Sequence, residues 1–169
     1  MTVSFHLGYY WSDNKELRRL EGLFLETVSQ NKDQILALLQ EERSARIRSQ
    51  LVHLLGWAEE YEEAPQVLIS HFDEKSIDVA NAAARALFPM AASGKVPLPT
   101  EEVLMLLDRR SKYLKNKALG LIALCPDTEK DKIIKFLDVS RIERLSRHKE
   151  SIVRKPAKML YDYIQDTQT

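Results

Sequence analysis

Residues 76–87 read SIDVANAAARAL: a serine, an apolar anchor at Val79, small residues at Ala83 and Ala86, and a second apolar residue at Leu87. Three further stretches repeat that order around Ile47, Leu114 and Val153, with the anchors 32, 35 and 39 residues apart. Six residues before the anchor stand Glu41, Asp73 and Asp108, and four before stand Arg43, Lys75, Arg110 and Lys149. Ser44, Ser76 and Ser111 lie three before it, while the fourth copy has Arg147 at the acidic place and Glu150 at the serine place. A repeat with a period of this size must be found before any helix is assigned, because it sets the architecture.

Four residues beyond the anchor come Leu51, Ala83, Ala118 and Ala157, and eight beyond come Leu55, Leu87, Ile122 and Tyr161. Offsets of four and eight lie on one helical face, so each copy predicts a second helix with an apolar stripe. Gln34–Leu39, Gln66–Phe72 and Glu101–Leu107 predict antiparallel first helices, and Leu36, Leu68, Val103 and, in the fourth copy, Ile142 stand eleven before the anchors. Each serine is placed to cap a second helix by accepting from a free N–H of its first turn. Asp13-x-x-Glu16, Asn31-x-x-Gln34 and Ser140-x-x-Glu143 resemble capping boxes.

The expected organisation is one all-α domain over 1–169. Residues 1–30 form an N-terminal cap and half repeat; 31–60, 61–92, 100–126 and 140–165 form helical hairpins; and 127–139 hold an inserted helix, placed at Thr128–Asp138 by a phase break. Leu17, Leu20, Phe24 and Val28 share one face of the half repeat, and Phe5, Tyr9, Tyr10 and Trp11 are expected to cover the open end of the stack. Gly94, Pro97 and Pro99 break the chain between units, and Pro156 is expected near the start of the last helix.

The repeat, carried by 41–51, 73–83, 108–118 and 147–157, resembles the HEAT-repeat family over about residues 31–164. The resemblance implies an α-α superhelix and a ladder between successive units, with Glu41, Asp73 and Asp108 as its acids and Arg48, Lys115 and Arg154 as its bases. Ala80 and Arg147 depart from that pattern. HEAT arrays serve many functions, so the likeness transfers little chemistry.

Formal net charge is zero. Residues 1–94 nevertheless hold 9 Lys+Arg against 14 Asp+Glu, and residues 95–169 hold 16 against 11. In an elongated array this makes an acidic and a basic end, capable of head-to-tail self-association. Cys125 is the only cysteine, and the chain shows neither a leader pattern nor an apolar run of about 18 residues. A cytoplasmic protein without membrane contact is expected.

No nucleophile elbow, paired-histidine metal motif or glycine-rich phosphate loop occurs, and Glu59–Glu63 reads as a solvated loop, so no enzyme activity, cofactor or metal is expected. The remaining chemistry is surface recognition. Positions turned away from the apolar stripe give a candidate partner-binding row of His53, Trp57, Asn81, Arg85, Asn116, Lys117 and Lys155, suited to a protein partner. The alternative is nucleic acid, held by a basic patch of Arg109, Arg110, Lys112, Lys115, Arg144, Arg147, Arg154 and Lys158. HEAT-like alkylpurine DNA glycosylases use a basic groove in this way, although aromatics do not interleave with these bases here.

Overall fold

The computed structural model describes residues 14–58, 62–92, 94 and 97–167, together with the backbone of 3–6 and 9–12. The side chains of Phe5, Tyr9, Tyr10 and Trp11, and residues 59–61 of the acidic run, lie outside this set. The described chain is helical apart from one N-terminal hairpin. β1 (Val3–His6) and β2 (Tyr9–Ser12) pair antiparallel with Val3 opposite Ser12 and His6 opposite Tyr9. This hairpin was not anticipated; its aromatic and β-branched residues favour strands.

Ten helices follow among the described residues: α1 (Lys15–Gln30), α2 (Lys32–Glu41), α3 (Ala45–Leu55), α4 (Ala64–Ser70), α5 (Ile77–Ala92), α6 (Thr100–Asp108), α7 (Lys112–Leu124), α8 (Asp127–Ile134), α9 (Val139–Ser146) and α10 (Ser151–Thr167). The first helices α2, α4, α6 and α9 each pack on the second helix that follows, α3, α5, α7 and α10. The second helices also pack on one another in chain order, α3 on α5, α5 on α7 and α7 on α10. Their apolar stripes and those of the first helices form one continuous core from Val28 to Ile164.

The anchors explain how that core closes. Val79, Leu114 and Val153 are fully buried, as are Ala83, Ala118 and Ala157 four residues on. The alanines allow neighbouring helices to approach without overpacking. Ile47, the first anchor, is 43 % exposed, and Leu17, Leu20 and Phe24 of α1 are also exposed. Only Val28 of the predicted α1 stripe joins the core, with Leu25 buried beside it. An internal anchor is covered from both sides, whereas the first lacks a full preceding unit.

The local expectations divide. Ser111 caps α7 by accepting from the Leu114 N–H at 3.5 Å, and Ser76 accepts from Val79 at 3.5 Å, but Ser44 makes no side-chain cap bond. Asn14 caps α1, accepting from Glu16 and Leu17. Asn31 instead donates backward to the Thr27 carbonyl at 2.8 Å, and Asp138, not Ser140, caps α9. Asp13, expected to cap α1, lies outside the described residues. The inserted helix is present as α8, ending four residues earlier than its predicted limit. Pro156 is the sixth residue of α10, beyond the first turn whose N–H groups are free, so it removes a helical bond to the Ile152 carbonyl.

Candidate functional site

Charge differs between the two helices of some pairs. α3 and α7 contain no Asp or Glu, and Asp78, in the first turn, is the only acid of α5. α2 and α6 carry Asp33, Glu41, Glu101, Glu102 and Asp108 against the single base Lys32. This contrast belongs to the α2–α3 and α6–α7 pairs: α4 is uncharged, α9 carries Arg141 and Arg144 against Glu143, and α10 carries Asp162 and Asp166 beside its bases.

On the second-helix row, His53 and Arg85 occupy the same offset, six beyond their anchors, and both are exposed. Gly120 occupies that place on α7 and offers no side chain. Lys117, one turn earlier, lies over the Phe88 ring of α5 with its Nζ 5.2 Å from the centroid. A Cβ on Gly120 would meet the tip of the Phe88 ring at 2.9 Å, so the glycine makes room for the ring that carries the lysine. Partial burial, and then the Arg85 guanidinium, lower the pKa of His53 from its ordinary value; the same two causes lower that of Lys117. Arg85 thus lies close enough to the His53 imidazole of α3 and the Lys117 ammonium of α7 to disfavour the charged form of each.

The other predicted row residues divide. Trp57 lies just beyond α3 and meets Phe24 of α1 edge to face, with centroids 5.4 Å apart. Asn81, one turn before Arg85, is half-buried, and its Oδ1 has no hydrogen-bond partner among the described residues. Asn116 is half-buried beside Lys117. Lys155 is exposed on α10 and joins none of these contacts. Tyr163, further along α10, is taken up by the inserted helix: its hydroxyl donates to Asp131 at 3.2 Å, and Lys130 lies 4.4 Å over its ring.

Six of the eight basic-patch residues make intramolecular bonds, Arg144, Arg147 and Arg154 among them at exposed positions. Arg109 donates to the carbonyls of Glu74 at 2.7 Å and Phe72 at 3.4 Å and lies 3.6 Å from Asp73. Lys112 pairs with Glu150 at 3.2 Å, and Lys115 donates to the Arg109 carbonyl. Arg154 donates to the carbonyls of His148 and Lys149. Arg144 and Arg147 pair along α9 with Asp138 and Glu143. Arg110 and Lys158 make no such pair among the described residues.

The unit-to-unit ladder exists with other partners than the resemblance implies. Arg48 pairs with Glu74 of the next turn, Arg109 reaches back to Asp73, and Arg141 pairs with Asp108. Lys115 and Arg154, the implied ladder bases, instead bind carbonyls of their own turns. Where Ala80 supplies no base, Arg109 of the following unit binds the equivalent carbonyl of Glu74. The carbonyl five before the anchor is thus held by a cation in three turns. Sequence reasoning missed Arg109 in this role because it precedes the anchor; its place directly after the turn acid was the available signal.

A cleft of about 440 Å³ lies between α2 and α4, lined by Leu36, Leu39, Gln40, Arg48, Val67 and His71 among others. It is formed where first helices stack less closely than second helices and lies off the row. Cys125 is buried, its thiol donates to the Ile122 carbonyl at 3.1 Å, and burial pushes its pKa up to about 11. Among the described residues no group of three or more His, Cys, Asp or Glu converges as metal ligands would, and no helix is long and apolar enough to cross a membrane. No protein-family model, curated protein or solved structure matches the chain.

Proposed function

We propose that this protein is a non-enzymatic interaction module: a HEAT-like α-α superhelix of four hairpins plus an N-terminal unit, whose second-helix row docks a protein partner. The observation that carries the reading is the juxtaposition of the His53 imidazole, the Arg85 guanidinium and the Lys117 ammonium on three adjoining second helices, none of them in an ion pair among the described residues. Arg109 and Arg154 are satisfied by backbone carbonyls, whereas Arg85 and Lys117 make no such bond among the described residues. The nucleic-acid reading draws less support, because six of the eight patch residues already serve turns or ion pairs. A reducing, cytoplasmic setting accords with the single buried thiol of Cys125.

The test is affinity capture from native extract on the wild-type chain and on the Arg85→Ala, Asn116→Ala, Lys117→Ala triple variant, read by mass spectrometry. Loss of a captured protein from the folded variant is expected. Retention of every captured protein assigns the docking face elsewhere.

A further inference from the structure

We propose that the chain associates head to tail: the exposed apolar face of α1 in one copy packs on an apolar surface that α7 and α10 form at the other end of a second copy. Neither face includes His53 or Arg85, so this inference does not rest on the row reading above.

Equal spacing on two packed helices builds the α7–α10 surface. Tyr113, Gly120 and Leu124 stand at i, i+7 and i+11 on α7, and Ile152, Met159 and Tyr163 repeat those intervals on α10, so each trio lies on one helical face. Both trios begin one residue before an anchor, Leu114 or Val153, and the two faces correspond. α7 packs on α10, and a contact at each end sets their register. Lys112 meets Glu150 at 3.2 Å where both helices start; toward the other end Tyr163 bonds Asp131 of α8, the helix that directly follows α7. Met159 is 66 % exposed and Tyr113 54 %, and Leu124 and Ile152 are exposed with them. Gly120 adds no side chain, and the half-buried Phe88 ring that a Cβ there would meet at 2.9 Å extends the surface toward α5. Exposed apolar side chains gathered on one face mark a docking surface.

The chain itself supplies the matching face. Leu17, Leu20, Leu23 and Phe24 are exposed on α1, along about 10 Å of helix, against about 16 Å between Tyr113 and Leu124. Phe24 ties α1 to Trp57 at the end of α3, whereas α10 closes the opposite end of the series α3, α5, α7, α10. The two faces therefore cannot meet within one copy. Charge sets the direction of docking. Lys15, Arg18 and Arg19 come first along α1, against Glu16, and Glu21 and Glu26 follow with no further base. The α7–α10 surface has Lys117 and Lys155 toward its start, and Asp162, Asp166 and Asp131 of α8 toward its end. An antiparallel α1 sets unlike charges together at both ends, whereas a parallel one sets like against like. The contact is heterologous, so each added copy leaves one face of each kind open.

The experiment is sedimentation velocity of the full chain over a range of concentrations at low ionic strength. The average mass is expected to rise past that of a dimer with concentration, and to fall as salt is added. Leu20→Glu and Met159→Glu, both at exposed side chains, are each expected to be monomeric alone and to form a one-to-one dimer when mixed, because each retains the face that the other has lost. Glu26→Lys and Lys155→Glu are each expected to weaken association about threefold, with recovery in the double variant. Circular dichroism checks folding, and Leu20→Gln and Met159→Gln serve if a glutamate variant unfolds. Monomer at every concentration, loss of association in only one of the two face variants, or no dimer on mixing overturns the inference. No recovery in the double variant overturns the antiparallel direction. A monomeric wild-type chain that captures a protein from extract, lost with Met159→Glu, replaces the second copy with a foreign partner.

Discussion

Gly56 and Ala86 meet almost backbone to backbone: a Cβ built on Gly56 would stand 2.5 Å from the Ala86 Cβ and 3.0 Å from its Cα. Gly56 has φ −64°, a conformation open to any residue, so its requirement is steric. Here the end of α3 closes on α5. Gly56→Ala is expected to destabilise the fold by about 1–3 kcal/mol through overpacking. Gly120→Ala should cost less, because it meets only the rotatable tip of Phe88. Chemical denaturation of the two variants checks the order.

Ala83 and Arg85 lie two residues apart on α5 and differ in task. Ala83 is fully buried, so Ala83→Leu should cost about 1–3 kcal/mol. Arg85→Ala removes an exposed side chain that disfavours the charged forms of His53 and Lys117 and should leave stability nearly intact. Equal melting temperatures for the two variants would contradict the division.

His53 titrates below its ordinary value of 6.5, first through burial and then through Arg85. The folded state prefers the neutral ring, so near pH 6 the unfolded chain binds more protons and stability rises with pH. The contribution is complete above the ordinary imidazole value and is lost as pH falls through it toward the folded value. Arg85→Gln should raise the His53 midpoint, though not to the ordinary value, because burial is the larger cause. Proton NMR of the imidazole ring reads this directly, and an unchanged midpoint would place Arg85 too far away to act.

Arg109 joins two units through the carbonyls of Phe72 and Glu74. Arg109→Met keeps much of the apolar stem but strips those acceptors of their donor, an expected loss of about 1–3 kcal/mol. Arg147 pairs with Glu143 on the exposed side of α9, and Arg147→Met should cost about 0–1 kcal/mol. Comparable losses would mean that the Arg109 bonds contribute little.

Cys125 should resist thiol reagents at pH 8 in the folded chain, since its pKa is raised to about 11 and its sulfur is buried. Full reactivity is expected after unfolding. Because the folded state retains the proton, the associated stability is present below the ordinary thiol range and is lost as pH rises toward about 11. Fast modification under native conditions would contradict this burial.

The repeat made the paired helices legible because an apolar residue recurring at a fixed offset marks the face that neighbouring helices cover, as they cover Val79, Leu114 and Val153. Ile47 shares the pattern and stays exposed, because sequence records a residue's tendency to be covered and not whether a neighbour arrives to cover it. The caps show the same limit: Asn31 and Ser140 sit at capping positions, yet Asn31 turns back to α1 and Asp138 serves α9. At the candidate site, offsets placed His53, Arg85 and Lys117 on one side of their helices, but Trp57 turned to Phe24 and Tyr163 to α8.

By itself, the sequence determined which segments are helical and which side of each second helix carries the apolar anchors, since both follow from local periodicity. Only the tertiary structure decided which bases remain available. Arg109, Lys115 and Arg154 look in the sequence like a free basic surface, but the folded turns bring carbonyl oxygens within reach of all three. His53, Arg85 and Lys117 come from three different units, and only the packing of α3, α5 and α7 sets them side by side. Helical periodicity is a property of neighbours in the chain, whereas a charge acquires its partner through space.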